Sequence, residues 1–139
     1  CMRYALHALR IACVTHCMRY ALHYTHYTHG RYAALARAAP FLDALSYHHY
    51  YASGRTADLA GRMHDAAWLS QGHASARNAT QLVHRAAPRM EAWVTELGSS
   101  FNSGGRGADA YASSLWYADS LGAHAQTGHA VACRQALLG

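Results

Sequence analysis

The sequence predicts an all-α fold, a four- to five-helix bundle preceded by an N-terminal arm whose structure the pattern leaves open. Three observations predict it. Alanine supplies 30 of the 139 residues, and Ala is the strongest helix former. Leu, Ile, Val and Phe together number only 21, a poor supply of the branched residues a β-sandwich needs. From residue 31 onward, apolar residues recur largely at helical spacing.

Residues 1–30 form the arm, rich in His, Tyr and Cys and basic in charge. Within it, Cys1–His7 recurs residue for residue as Cys17–His23. An offset of 16 residues turns a straight helix by about 160°, so two helical copies would face nearly opposite sides. On a strand the even offset keeps them on one side.

Residues 31–139 form the helical domain. Tyr32–Ala39 is strongly helix-forming, and Pro40 interrupts it. Phe41, Leu42, Leu45, His48 and His49 then recur at helical spacing as far as the stop signal Ser53-Gly54. Thr56 reads as the N-cap of a helix over 57–70, ending near Gly72. A third helix runs over 75–98 with Leu82, Val83, Met90, Trp93 and Leu97 apolar, kinked at Pro88. The Gly/Ser-rich stretch 99–107 is a linker. Helix returns over 109–138, with a break at Gly122 or Gly128.

Charge and motifs narrow the function. The net charge is +5, with 12 Arg and no Lys. Arg3, Arg10, Arg19, Arg31 and Arg37 all precede the first acid, Asp43. Such a segment suits an anionic partner, and its interleaved tyrosines offer nucleic acid both phosphate contacts and stacking. No apolar run reaches the roughly 20 residues of a membrane span, so no transmembrane segment is expected. The four cysteines contain no CxxC, so neither a redox motif nor a zinc ribbon is indicated. A start at Cys1, with no intact signal peptide, is expected to reflect processing, truncation or a lipidated cysteine. No P-loop, dinucleotide fingerprint, HExxH, GxSxG or EF-hand is present. The seven acids (Asp43, Asp58, Asp65, Glu91, Glu96, Asp109, Asp119) stand singly, which predicts no paired-carboxylate site.

Histidine is the chemical surplus. His23, His26 and His29 are spaced by three, which on a helix places each about 60° from the last, on one broad face. Cys13, His16 and Cys17 form an i, i+3, i+4 group, and His129 and Cys133 an i, i+4 pair. Mixed imidazole and thiolate sets suit copper or zinc. Adjacent His48 and His49 diverge by about 100° on a helix and cannot share one ion through a single face.

Residues 41–52, Phe-Leu-Asp-Ala-Leu-Ser-Tyr-His-His-Tyr-Tyr-Ala, resemble the F-L-D-x-M-x-x-H-H-x-x-A signature of a bacterial family of ferritin-like four-helix proteins. Some of its members are periplasmic copper- and silver-binding proteins. Arg89–Val94 resembles the family's M-x-x-W-L pattern, and the likeness spans residues 41–97. It implies His48, His49 and Met90 as ligands and a periplasmic or secreted location, although Leu45 stands where the family has Met. Separately, Arg77-Asn78 followed by His84 resembles the Arg–polar…His motif of the HEPN ribonucleases, in which the Arg and His act on an RNA phosphate. The sequence therefore points to a non-catalytic copper- or zinc-binding protein, with Cys13, His16, Cys17, His23, His26, His29, His48, His49, Met90, His129 and Cys133 as candidate ligands. The alternatives are a ligand-free, self-assembling helical homo-oligomer and a protein that binds nucleic acid through its arm.

Overall fold

A computed structural model describes residues 11–13, 37, 39–101 and 107–135. The architecture is α/β. Four parallel strands form one sheet in the order β1-β2-β3-β4. They are β1 (Ile11–Cys13), β2 (Ala44–Ser53), β3 (Glu91–Phe101) and β4 (Val131–Arg134). A short helix α1 (Leu59–Arg62) and a long helix α2 (Ala66–Ala86) connect β2 to β3, and α3 (Tyr111–Gln126) connects β3 to β4.

The expected all-α bundle is thus corrected, and the reason lies in β2 and β3. A strand buried at consecutive positions lacks the alternation that marks a half-exposed strand. The first four residues of β2 are all buried, and their spacing mimics a helix. Tyr47, Tyr50 and Tyr51 favour the pleated conformation, where a broad ring packs against its cross-strand neighbour. Pro40 sits in a 3₁₀ turn, Ala39–Phe41, immediately before this strand.

The helix expected over 75–98 and the one expected over 57–70 are also redrawn. Asp65 caps α2 by accepting from the backbone N–H groups of Ala67 and Trp68. Trp68, Gly72, Ala76, Ala79 and Val83 then bury one stripe. At the far end Pro88 stops the helix rather than kinking it, because the residue before a proline is driven to extended geometry. Ala87 has φ −153° and ψ 93° accordingly. The chain re-enters the sheet at Glu91, so the stretch read as linker begins as strand up to Phe101. Helix α3 ends where Gly128 adopts φ +84°, and the tail of the expected helix becomes β4. Among the described residues no helix is long and apolar enough to cross a membrane.

The helices cover one face of the sheet. Trp68 and Ala79 of α2 and Ala112 and Trp116 of α3 meet Tyr47, Val94 and Leu97 in the main core, with Leu59 and Met63 beside them. A second cluster joins Leu45, Val83, Ala87, Met90 and Ala92 at the other end of α2.

Candidate functional site

Strand β3 carries one irregularity, and the site is built on it. Its register with β2 runs Tyr47↔Val94 and then His48↔Glu96, so Thr95 has no partner. The pairing with β4 skips in the same place, from Val94↔Ala132 to Leu97↔Arg134. This is a β-bulge with one extra residue on β3. It changes the parity of the strand. Ala92 and Val94 pack toward the helices, and without the bulge residue 96 would follow them. Instead Leu97 takes the core position, fully buried, and Glu96 is turned to the opposite, open face.

Two side chains of β2 meet it there. The Tyr50 hydroxyl donates to Glu96 Oε2 at 2.7 Å, and His48 Nδ1 lies 2.9 Å from the same oxygen. His48 and Tyr50 are two residues apart and share a strand face. Both contacts converge on Oε2 and fix the plane of the carboxylate, and Oε1 accepts neither. The His48 and Glu96 side chains are 23% and 31% exposed, so the group is accessible yet sheltered. Gly98 pairs with Tyr50 and provides the space its ring occupies. The site lies at the middle of β2 and β3, on the face of the sheet that the helices leave uncovered. A cavity of about 490 Å³ lies beyond the end of β2, walled by residues 54–60 and Gly107, and none of Glu96, His48 and Tyr50 lines it. The Gly54 N–H bonds the Phe101 carbonyl and ties the two strand ends together.

The back of β2 is also polar. His49 is buried and its Nδ1 lies 3.0 Å from Nε2 of His124. The Tyr47 hydroxyl meets His129 Nε2. Burial pushes the His49 and His129 rings down to about 3 and about 4, and nearby imidazoles add to the effect. Burial likewise raises the Tyr47 hydroxyl far above its ordinary range.

The candidate metal ligands among the described residues do not come together on this framework. His48 and His49 point to opposite faces of β2, the first to Glu96 and the second to His124. Met90 is buried in the second core cluster. His129 and Cys133 are not on a helix, so their four-residue spacing does not align them, and Cys133 is exposed on β4. Cys13 lies on β1. His16, Cys17, His23, His26 and His29 lie outside the described residues. Among the described residues no three His, Cys, Asp or Glu side chains form a group that could hold a metal ion. Sequence reasoning missed Glu96 and Tyr50. A lone acid in a supposed helix carries no signal, and the bulge that gives it a role has no marker in the residues around it.

Comparison with known proteins agrees with this correction. Residues 24–122 match the family model of the glycosyl hydrolase family 79 N-terminal domain. The chain is 35% identical over 100 residues to heparanase-like protein 1 of Arabidopsis thaliana, covering 70% of this chain and 18% of that protein. It is 37% identical over 100 residues to heparanase-like protein 2 of the same plant, covering 70% of this chain and 19% of that protein. The chain thus spans about a fifth of the length of these relatives. The resemblance to the His-His ferritin-like copper-binding family is overturned, and the metal-binding reading with it. The His-His pair that carried the likeness lies on a strand.

Proposed function

Because the chain belongs to the glycosyl hydrolase family 79 N-terminal domain family, we propose that it forms part of a glycosidase and that Glu96 is one of the two catalytic carboxylates. Glycoside hydrolysis uses one carboxylic acid to protonate the leaving oxygen and one carboxylate as nucleophile or base. The observation that carries the reading is the convergence of Tyr50 and His48 on Oε2 of Glu96. Both partners use this side chain as an acceptor, and they leave Oε1 to address a substrate. That arrangement suits the nucleophile or base rather than the proton donor, which works best from an apolar pocket.

The second carboxylate must come from elsewhere. Glu91 shares the face of β3 but stands about 13 Å or more away at the strand's rise per residue, beyond the roughly 5–9.5 Å of a catalytic pair. Its Oε2 accepts instead from the Trp93 indole. In this reading the partner acid comes from the part of the relatives' length that this chain does not cover. The names of the heparanase-like relatives point to a heparan-type glycan, an acidic polysaccharide. The anionic partner inferred for Arg3, Arg10, Arg19 and Arg31 is of that same class.

The test is Glu96→Gln in the full-length protein, assayed on aryl glycosides and on an acidic glycan. We expect hydrolysis to fall at least about 100-fold, the low end for losing a positioned acid or base. The urea unfolding midpoint should hold, because Glu96 faces away from the core. Full activity in a folded Glu96→Gln protein would remove the proposal.

A further inference from the structure

The cluster behind β2 has no part in the glycosidase reading, yet its bonds define one protonation pattern. His49 comes from β2, His124 from α3 and His129 from the turn before β4. His124 Nδ1 lies 2.7 Å from the Ser120 carbonyl, so it donates there and its Nε2 carries no proton. That bare Nε2 faces Nδ1 of His49 at 3.0 Å, which makes His49 Nδ1 the donor. His129 Nδ1 lies 3.3 Å from the His124 carbonyl and 3.1 Å from Thr127 Oγ1. The Thr127 hydroxyl itself donates to the Ala123 carbonyl at 2.8 Å. His129 Nδ1 is therefore a donor as well, and its Nε2 accepts from the Tyr47 hydroxyl at 2.5 Å. All three rings are neutral Nδ1–H forms, each set by the bonds of the next.

Such a chain tolerates protons badly. A proton added to His124 goes on Nε2, and the new N–H then faces the N–H of His49. One charged ring beside another would repel across centroid separations of 5.1 Å (His49 and His124) and 4.7 Å (His124 and His129). The surroundings offer little compensation. From α2, His73 and His84 face the cluster, and their charged forms oppose a further charge on His124 and His129. Asp119 of α3 is held by His73 at 2.7 Å. From β2 itself, Tyr51 stacks on His49 at 4.8 Å. The face of β3 turned this way carries apolar Val94 and Leu97. Burial is the first cause of the lowered His49, His124 and His129 values.

We propose that His49, His124, His129 and Tyr47 form an acid-sensitive clamp on the back of β2, which positions His48 and Tyr50 against Glu96 while its rings stay neutral. The alternation of the strand makes the connection. Tyr47, His49 and Tyr51 grip β2 from behind, and His48 and Tyr50 between them face the carboxylate. The sign of the pH effect follows from the lowered values. Groups whose folded values lie below the ordinary 6.5 add stability above that pH. The contribution drains away as pH falls from about 6.5 toward the folded values of about 4 and about 3.

The clamp stands on the bonds above, and only its positioning role rests on the glycosidase reading. In the full chain with ¹⁵N-labelled imidazoles, His49, His124 and His129 should give Nδ1–H spectra and stay neutral at pH 6. An Nε2–H form at His124, or midpoints near 6.5 for these rings, overturns the clamp. His124→Gln keeps a polar side chain that cannot charge, so its urea midpoint should fall less between pH 7 and 5 than that of the unaltered chain. Equal falls overturn the clamp too. If His124→Gln does not fold, the spectra decide alone. In the active full-length protein the acid limb of kcat/KM should move to lower pH in His124→Gln. A limb that stays in place while the spectra are as expected overturns the positioning role. An unaltered protein with no hydrolytic activity overturns the catalytic reading and leaves the clamp intact.

Discussion

Gly98→Ala is the most informative single change, because it perturbs the candidate carboxylate without touching it. A Cβ at residue 98 would lie 2.6 Å from Tyr50 Cε1 and 2.8 Å from Cδ1, against ordinary contact from 3.4 Å upward. The ring must retreat by about 0.8 Å, the difference of those two figures. A shift of that size stretches the 2.7 Å bond to Glu96 to about 3.5 Å, where a hydrogen bond has effectively gone. A bond to a charged group contributes about 1.5–3 kcal/mol. The Glu96 side chain is 31% exposed, so the low end applies. Counted wholly as transition-state stabilisation, about 1.5 kcal/mol is roughly a tenfold loss in kcat/KM. The measurement is kcat/KM of the full-length protein on an aryl glycoside, in a cycle with Tyr50→Phe. Tyr50→Phe removes the same bond directly and should cost about as much. Gly98→Ala added to it should cost little more, since no hydroxyl remains to be displaced. Additive losses, or a Gly98→Ala protein with unaltered kcat/KM, would refute the idea that residue 98 acts through the Tyr50–Glu96 bond.

Two further changes probe the scaffold. Gly72→Ala would drive a Cβ into the Tyr51 ring at Cε2, and that ring is wedged between Trp68 and Trp116 at 5.4 Å and 5.2 Å. With no room to retreat, overpacking should destabilise the fold by about 1–3 kcal/mol or more in urea titration, and an unmoved midpoint would contradict the packing described. Asp65→Ala removes the acceptor for the Ala67 and Trp68 N–H groups and should cost about 1 kcal/mol, whereas Asp65→Asn should retain most of it. Equal losses in the two variants would show that the cap bond is not the source.

What the sequence displays is helical character over α2 and α3, although the pattern around Gly72 splits α2 into pieces expected over 57–70 and 75–98. Alanine content, the stripe from Trp68 to Val83 and a terminal glycine at 128 are local signals, and local hydrogen bonds satisfy them. The strands are a different matter. Their bonds join residues far apart in the chain, 47 positions in Tyr47↔Val94, so no local signal marks the pairing. The His48-His49 pair shows how a correct observation leads to wrong chemistry. Adjacent histidines do not share one ion, as helical geometry also predicts, but the pleat sends them a half-turn apart. One therefore becomes a partner of Glu96 and the other a partner of His124. The histidine surplus thus has a structural outlet that composition alone cannot separate from metal binding.

The parity change at Thr95 joins the core to the carboxylate site. A regular β3 would present Ala92, Val94 and residue 96 to the helices, which would bury a carboxylate among Trp68, Trp116 and Leu59. An unpaired charge in such a core is strongly destabilising. One extra residue resolves the conflict by rotating Glu96 to the open face and delivering Leu97 to the core in its place. The solution has a cost, since the Thr95 hydroxyl is buried with no partner among the described residues. A bulge that served only to relieve strain would not need an acid beside it. This one places the acid beside a tyrosine and a histidine, both supplied by a strand that is gripped on its other side by imidazoles. The carboxylate's orientation is therefore a property of the sheet as a whole. It follows that changes behind β2 should reach Glu96 through the backbone of that strand, whereas changes on the exposed side of α3, at Leu115 or Leu121, should not.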